Sequence, residues 1–376
     1  MKNNIVLFCG DVAATDGSRE AFRAADVDTL FTDVSSVMAE ADNIIVNLEG
    51  PLTERETKIR KIGPNLKTPV QGADVLKKLG VTACGLANNH IGDYDGGGLK
   101  DTFDHLDRVG IGYFGAGANE EAACAPYFFM AGDKNIAMLA VNEREYTVAY
   151  PDRPGAAPFY DLDTCVRIAE TKAQADYLVV MYHGGKEQCE YPSPRLRKAC
   201  HAFCKLGADL VLCQHSHIIG TKEQVGDSTI LYGQGNFHFV GFLNHLPGWT
   251  TGLMVKAVFG EKMDLEFIPV EALEHGIRLM KGEEAEQILS GLEERSKRLQ
   301  DGTWIDGWRE FCLSKKEFYE KTVFDVGHAE GLDFAREYFA IHLDCDCHAD
   351  VWRELFPTWH GAGVDGSWKD AKFRFI

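Results

Sequence analysis

Asp11, Glu49, Asn89, His183, His215 and His217 are the residues of this chain whose types and settings best suit chemistry. Each sits at the end of a short apolar run. IVLFCGD closes on Asp11, IIVNLEG on Asn47 and Glu49, and VTACGLANNH on Asn88, Asn89 and His90; YLVVMYHGG carries His183, LVLCQHSH carries His215 and His217, and ILYGQGNFHF carries Asn236 and His238. Taken singly, such residues are helix caps, turn formers or hydrogen-bonded core side chains. As a set they are carboxylate, amide and imidazole donors without an obligatory thiolate, which suits manganese, with iron or zinc as the other choices, in one or two ions. An ion there lowers the pKa of a bound water and polarises an ester or phosphoryl oxygen. His90, next to Asn89, is then placed to give a proton to a leaving group.

Bringing these tips together requires strands that run the same way. The expected strands are Asn4–Cys9, Asn43–Leu48, Val81–Leu86, Ile136–Val141, Tyr177–Tyr182, Leu210–Gln214, Thr229–Tyr232 and Leu253–Phe259. Several are unbroken runs of Val, Ile and Leu, the mark of strands covered on both faces. Amphipathic helices are expected over Asp28–Ala41, Gly98–Val109 and Ser193–Leu206. Strand and helix alternate, so the fold class is α/β, a layered β-sheet sandwich flanked by helices. In such folds ligands gather at the C-terminal ends of the strands. The division expected is residues 1–272 for this domain and 273–376 for a mostly helical C-terminal region that opens with the charged helix Glu283–Gln300.

Composition narrows the functions. The 376 residues are 45% hydrophobic with a net charge of −18, which suits a folded protein and excludes general nucleic-acid binding, since that needs a basic face. Nothing approaches the roughly 20 apolar residues of a membrane span. IVLFC is too short for a signal-peptide core, and eleven scattered cysteines suit a reducing compartment, so the location expected is cytoplasmic. In this acidic chain the loop Glu54–Lys67 holds Arg55, Lys58, Arg60, Lys61 and Lys67; a solvated loop is the simpler reading, and steering of an anionic substrate by residues such as Arg60 is the other. His342, Cys345, Cys347 and His348 cluster near the C-terminus, but Cys-x-Cys is not a zinc-finger spacing and packing explains it more simply. Cys200 and Cys204, four apart on a helix, read as core.

The strings GDV, NLEGPLT, GLANNHIGDYDGGG, HGGKE, QHSHIIG and YGQGNFHF, in this order between about residues 5 and 270, resemble the motifs of the CapA capsule-biosynthesis family. That family is linked to poly-γ-glutamate capsule synthesis and has the fold of calcineurin-like metallophosphoesterases. The resemblance implies that Asp11, Glu49, Asn89, His183, His215 and His217 hold metal, with Glu49 bridging and His90 as the transition-state histidine. Asn47, Asn88, Asp93, Glu187 and Asn236 would support the ligands or face substrate. It implies a metal-dependent hydrolase acting on a small or polymeric anionic substrate; the alternative is an accessory protein that binds glutamate polymer without turnover. Two departures stand out. The phosphoesterase pattern Asp-x-His is Asp11-Val12-Ala13 here, and the aromatic that follows the fourth-motif histidine is Gly184.

Overall fold

The computed structural model describes residues 4–328 and 332–356. Two sheets face each other. The first runs Ile277–Leu279, Met263–Ala272, Thr251–Phe259, Ile5–Ala13, Asn43–Leu48, Ala83–Gly85, Gly112–Phe114, with Asn236–Phe239 also paired to Ile5–Ala13. The second runs Lys222–Val225, Ser228–Leu231, Leu210–Gln214, Tyr177–His183, Lys134–Asn142, Tyr127–Ala131. Strand side chains alternate between faces. On the first sheet Val6, Phe8 and Ile45 point inward to meet Met138, Val179 and Leu212 of the second, forming the inter-sheet core. Leu7, Cys9 and Val46 point outward onto helices carrying Phe22, Leu76 and Leu99. Val180, Tyr182 and Val211 do the same on the far side, against Phe203 and Ile168. The four layers explain the unalternated apolar runs: both faces of each central strand are covered.

All eight expected strands are present; seven have a parallel neighbour, and Leu253–Phe259 runs antiparallel to Ile5–Ala13. Ile5–Ala13 lies beside Asn43–Leu48, and Lys134–Asn142, Tyr177–His183 and Leu210–Gln214 lie side by side. Some boundaries differ from expectation. The first strand continues through Asp11 to Ala13, with a register shift near Gly10, so Asp11 lies inside a strand and not past its end. Gly10 is required there, because a Cβ would stand 2.5 Å from the Gly235 carbonyl oxygen. The single helix expected over Asp28–Ala41 is two short ones, Val27–Leu30 and Val34–Met38. Between them Thr32 donates to the Ile277 carbonyl at 2.7 Å and Asp33 accepts from the Leu279 amide at 2.8 Å, bonds to a sheet edge that an unbroken helix would not offer. Met263–Ala272 was not foreseen as a strand because its exposed face alternates in Asp264 and Glu266.

The C-terminal region is helical from Glu283, after a last strand, Ile277–Leu279, that pairs with Met263–Ala272. Residues 357–376, part of the region expected to be helical, lie outside the described residues. Trp304, Trp308, Tyr319 and Val351 join the outer core of the second sheet. A buried charge network fixes this attachment. Arg195 meets Glu143 and, at 2.9 Å, Asp350 of the last helix; Tyr182 donates to Glu143 at 2.9 Å and Ser193 to Asp350 at 2.5 Å. The same network accounts for Gly184, because a Cβ there would stand 2.5 Å from Glu143, which fills the space an aromatic would need. Arg195→Ala would leave buried Glu143 without its cation and Asp350 with the exposed Arg353 in its place, and the expected loss is about 3–5 kcal/mol, read as a lower urea midpoint. An unchanged midpoint would show that the network contributes little.

A candidate metal centre at the facing strand ends

Strand register brings the polar residues together in two rows. Asp11 pairs in register with Asn47 and Asn236 on the first sheet, while Asn142, His183 and Gln214 are neighbours on the second. The rows meet across the gap between the sheets, where Asn47 Nδ2 stands 3.2 Å from His183 Nδ1 and donates to Asp11 Oδ1 at 2.7 Å. Asn88 donates to the Leu48 carbonyl at 2.9 Å and accepts from the His90 amide at 3.2 Å, which sets the loop carrying Asn89 and His90. His215 and His217 have φ of +82° and +57°, a left-handed backbone that costs on the order of 1–3 kcal/mol per non-glycine residue and is kept where geometry demands it. The tight His-Ser-His turn puts both imidazoles against the same carboxylate.

That carboxylate is Glu49. It is fully buried, and neither of its oxygens has a hydrogen-bond partner. His183 Nε2 lies 3.6 Å from its Oε1, His217 Nε2 3.8 Å and His90 Nε2 4.0 Å. Asn89 Oδ1 is 3.0 Å from His183 Nε2. Donors bound to one ion at about 2.1 Å stand roughly 3.0–3.5 Å apart when adjacent and up to about 4.2 Å when opposite, so spacings of 3.0 to 4.0 Å fit a shared cation. Burial, then the neighbouring Asp11, pushes the Glu49 carboxyl well above its usual range. Burial likewise raises Asp11 and holds His183 and His217 below the ordinary imidazole range. His183 and His217, held neutral beside a buried, unpartnered carboxylate, are a set that a cation completes, since a lone buried charge is costly; burial lowers His215 too, but Cys347 and Glu145 raise it to about 10. Glu49, His215 and His217 can present three ligand atoms within 4.8 Å of one another.

Supports surround the donors. His217 Nδ1 meets Asn236 Oδ1 at 2.8 Å, and Asn236 donates in turn to the Trp249 carbonyl at 2.8 Å, so Nε2 is the nitrogen turned to Glu49. Asn236→Ala is expected to weaken metal binding or turnover by about 10–100-fold, checked by titrating manganese against activity. Parity with the wild type would mean that Trp249, whose ring lies 4.4 Å from His217, holds the imidazole alone. His90 Nδ1 lies 2.7 Å from Asp93 Oδ2, and Lys61 lies 2.5 Å from Asp93 Oδ1 with its side chain 2% exposed. Burial, then Lys61, keeps His90 well below its usual range; burial lifts Asp93 to about 6. Burial raises Glu187, but Lys186 and the histidines bring it down to about 2, and its charge acts on Glu49 and His90.

Some expected residues fall elsewhere. His238 is packed between the rings of Phe22 and Phe31 at 5.1 and 5.0 Å, a core imidazole that burial holds at about 4. Arg60 lines a groove of about 350 Å³ with Lys61, Arg144 and Tyr146, beside the centre and not in it. Arg55 pairs with Asp101 at 2.8 Å and Lys67 with Glu56 at 3.0 Å, so these two loop cations face surface acids. Ala13, where the phosphoesterase pattern has histidine, is buried with Leu66, Phe239 and Trp249, an apolar wall that offers no ligand. Lys61, Glu145 and Cys347 were not foreseen at the site. Glu145 carried a signal: AVNERE follows an expected strand just as the other strings do. A larger cavity of about 1,080 Å³ reaches Gln188 and Ile218, but none of the candidate ligands lines it.

The chain is 28% identical over 251 residues to PGA biosynthesis protein CapA of Bacillus subtilis and 27% over 250 residues to capsule biosynthesis protein CapA of Bacillus anthracis. These matches cover 65% and 64% of this chain, and 63% and 59% of the relatives. A phosphatase of Mycoplasma pneumoniae aligns with 70% of this chain and 92% of its own at 14% identity and a TM-score of 0.44, too low to bear on function. Among the described residues, no helix is long and apolar enough to cross a membrane. Residues 5–240 match the family model described as bacterial capsule synthesis protein PGA_cap, more than half of the sequence, and the chain belongs to that family.

Proposed function

We propose that this protein is a metal-dependent hydrolase of the phosphoester class, serving the synthesis of an anionic capsule polymer. The observation that carries this reading is Glu49, a buried carboxylate with no hydrogen-bond donor, facing imidazoles held neutral. Asp11, Glu49, Asn89, His183, His215 and His217 would hold the ion, which supplies Lewis-acid activation of water and of a phosphoryl oxygen. Manganese is the first choice for this mixed nitrogen and oxygen set, with iron or zinc next. The apolar wall at Ala13 favours one tight position, on the side of Asn89 and His183.

The chain's own groups supply the rest. Asp93 Oδ2 accepts a hydrogen bond from His90 Nδ1–H, so His90 Nε2 faces the centre as the position that gains and gives a proton. Unliganded, burial and Lys61 keep that nitrogen unprotonated; the negative charge of an incoming phosphoryl group favours a proton there, ready for the leaving oxygen. Asn236 and Asn47 orient His217 and His183.

A second reading is binding of glutamate polymer without turnover. The groove lined by Arg60, Lys61, Arg144 and Tyr146 favours it, because an extended polyanion needs cations beyond the reacting bond. One experiment separates the two. Stripping metal with a chelator should reduce aryl phosphate turnover to the buffer rate, and manganese should restore it. Manganese at about 100 times its dissociation constant should also add about 2.7 kcal/mol of stability, seen as a higher Tm. No turnover on any phosphoester or glutamyl amide, together with polyglutamate binding, would sink the hydrolase and leave the binder.

A further inference from the structure

The last helix brings two thiols to the edge of the metal centre. Cys345 caps it and Cys347 lies in its first turn; both are buried, and their sulfurs are 3.3 Å apart. Cys345, Cys347 and His348 offer three ligand atoms within 4.8 Å of one another, and Glu145, His215 and Cys347 offer a second such set. The two sets share Cys347. Glu145 belongs to the loop after Lys134–Asn142, and its Oε2 is 3.5 Å from His215 Nε2. His348 is oriented by the Tyr319 hydroxyl, 2.7 Å from Nδ1. His342 stacks on it at 4.3 Å; it is buried, and its Nε2 has no hydrogen-bond partner. An unpaired buried imidazole nitrogen beside two thiols in contact is not accounted for by packing, the explanation the Cys-x-Cys spacing alone favours.

We infer that Cys345, Cys347 and His348 form a second cation site selective for zinc-class metals, with Glu145 at its edge, within reach of Cys347. Thiolates prefer such ions to manganese, and two thiolates with one imidazole suit tetrahedral zinc, whose fourth position Glu145 or water would fill. On binding, both thiols release their protons to solvent and each sulfur donates a lone pair, so the step needs no oxidant or reductant. The ion would cross-link the C-terminal helix to the strand ends. Asp346 is already held there by Arg144 at 3.3 Å and Asp350 by Arg195 at 2.9 Å, so the helix is positioned without it. The site adjoins the Glu49 centre through His215, which lies beside Cys347, and differs from it in its two sulfur donors.

Cobalt substitution tests this on the full chain under reducing conditions. Cobalt bound by thiolates shows a sulfur-to-metal charge-transfer absorption in the near ultraviolet, and cobalt in an oxygen and nitrogen site does not. The wild type should show the band. Cys347→Ser and Cys345→Ser should weaken or lose it with loss of about one equivalent of bound zinc. Asn89→Ala should keep it, so failure of the hydrolase reading and failure of this one remain distinct. Should a serine variant fail to fold, the wild type alone decides. Zinc should slow alkylation of Cys345 and Cys347 by about tenfold or more, mapped by mass spectrometry, because a coordinated thiolate is a poor nucleophile. Absence of the band at saturating cobalt, equal alkylation with and without zinc, or a Cys345–Cys347 disulfide that persists in reductant would each overturn the site.

Discussion

Glu49→Gln is expected to lower manganese-dependent turnover by about three orders of magnitude. A catalytic ion contributes several kcal/mol to transition-state stabilisation, and each 1.36 kcal/mol is about a factor of ten. The carboxylate is the one group facing His90, His183 and His217 together, so losing its charge removes the anchor of the cation. The same substitution has a second readout of opposite sign. Without metal, the wild type holds an unpartnered carboxyl in a fully buried setting, an arrangement retained for function at the expense of stability. The metal-free variant should therefore melt no lower than the metal-free wild type. Manganese should raise the Tm of the wild type and leave that of the variant nearly unchanged. If the variant keeps the manganese response, Glu49 is not a ligand.

His90→Ala should reduce kcat by roughly 10²–10⁴-fold while metal uptake stays intact, the range for loss of a positioned proton donor. His90 is held by Asp93 and Lys61 and stands 4.0 Å from Glu49, at the rim of the donor set. Its role can be told from a structural one by leaving group. An aryl phosphate whose phenolate is stable needs little protonation, so the deficit should shrink as the leaving-group pKa falls. A deficit that is equal for all leaving groups, or that comes with loss of manganese binding, would mean that His90 holds the metal or the loop and not the proton.

Much of this was legible because parallel strands impose a local rule. A strand covered on both faces is an apolar run, and its C-terminal end is where polar side chains reach a shared edge. That rule found Asp11, Asn47, Glu49, Asn88, Asn89, His90, His183, His215, His217 and Asn236, and the structure brings all of them to one place. It failed for His238: two residues from Asn236, it would share that face in a regular strand, but the register shifts between the pairs Asp11–Asn236 and Val12–His238, and His238 turns into the Phe22 and Phe31 core. The helix expected over Asp28–Ala41 failed for a related reason. Its apolar spacing is helical throughout, but the bonds from Thr32 and Asp33 to Ile277 and Leu279 span about the length of the domain in sequence, and no window around them contains both partners.

By itself the sequence determined the layers, the parallel core and which polar residues stand at the strand ends, because each is written in a run of ten residues or fewer. Only tertiary structure decided which donors share a partner. Lys61 is one cation of a basic loop until the fold turns it inward to Asp93, while Arg55 and Lys67 face acids on the surface. Cys347 lies 132 residues beyond His215 in the chain, and the packing of Val351 with the ion pairs of Arg195 to Asp350 and Arg144 to Asp346 brings them together. Contacts of that separation depend on how layers dock, which local side-chain pattern does not specify.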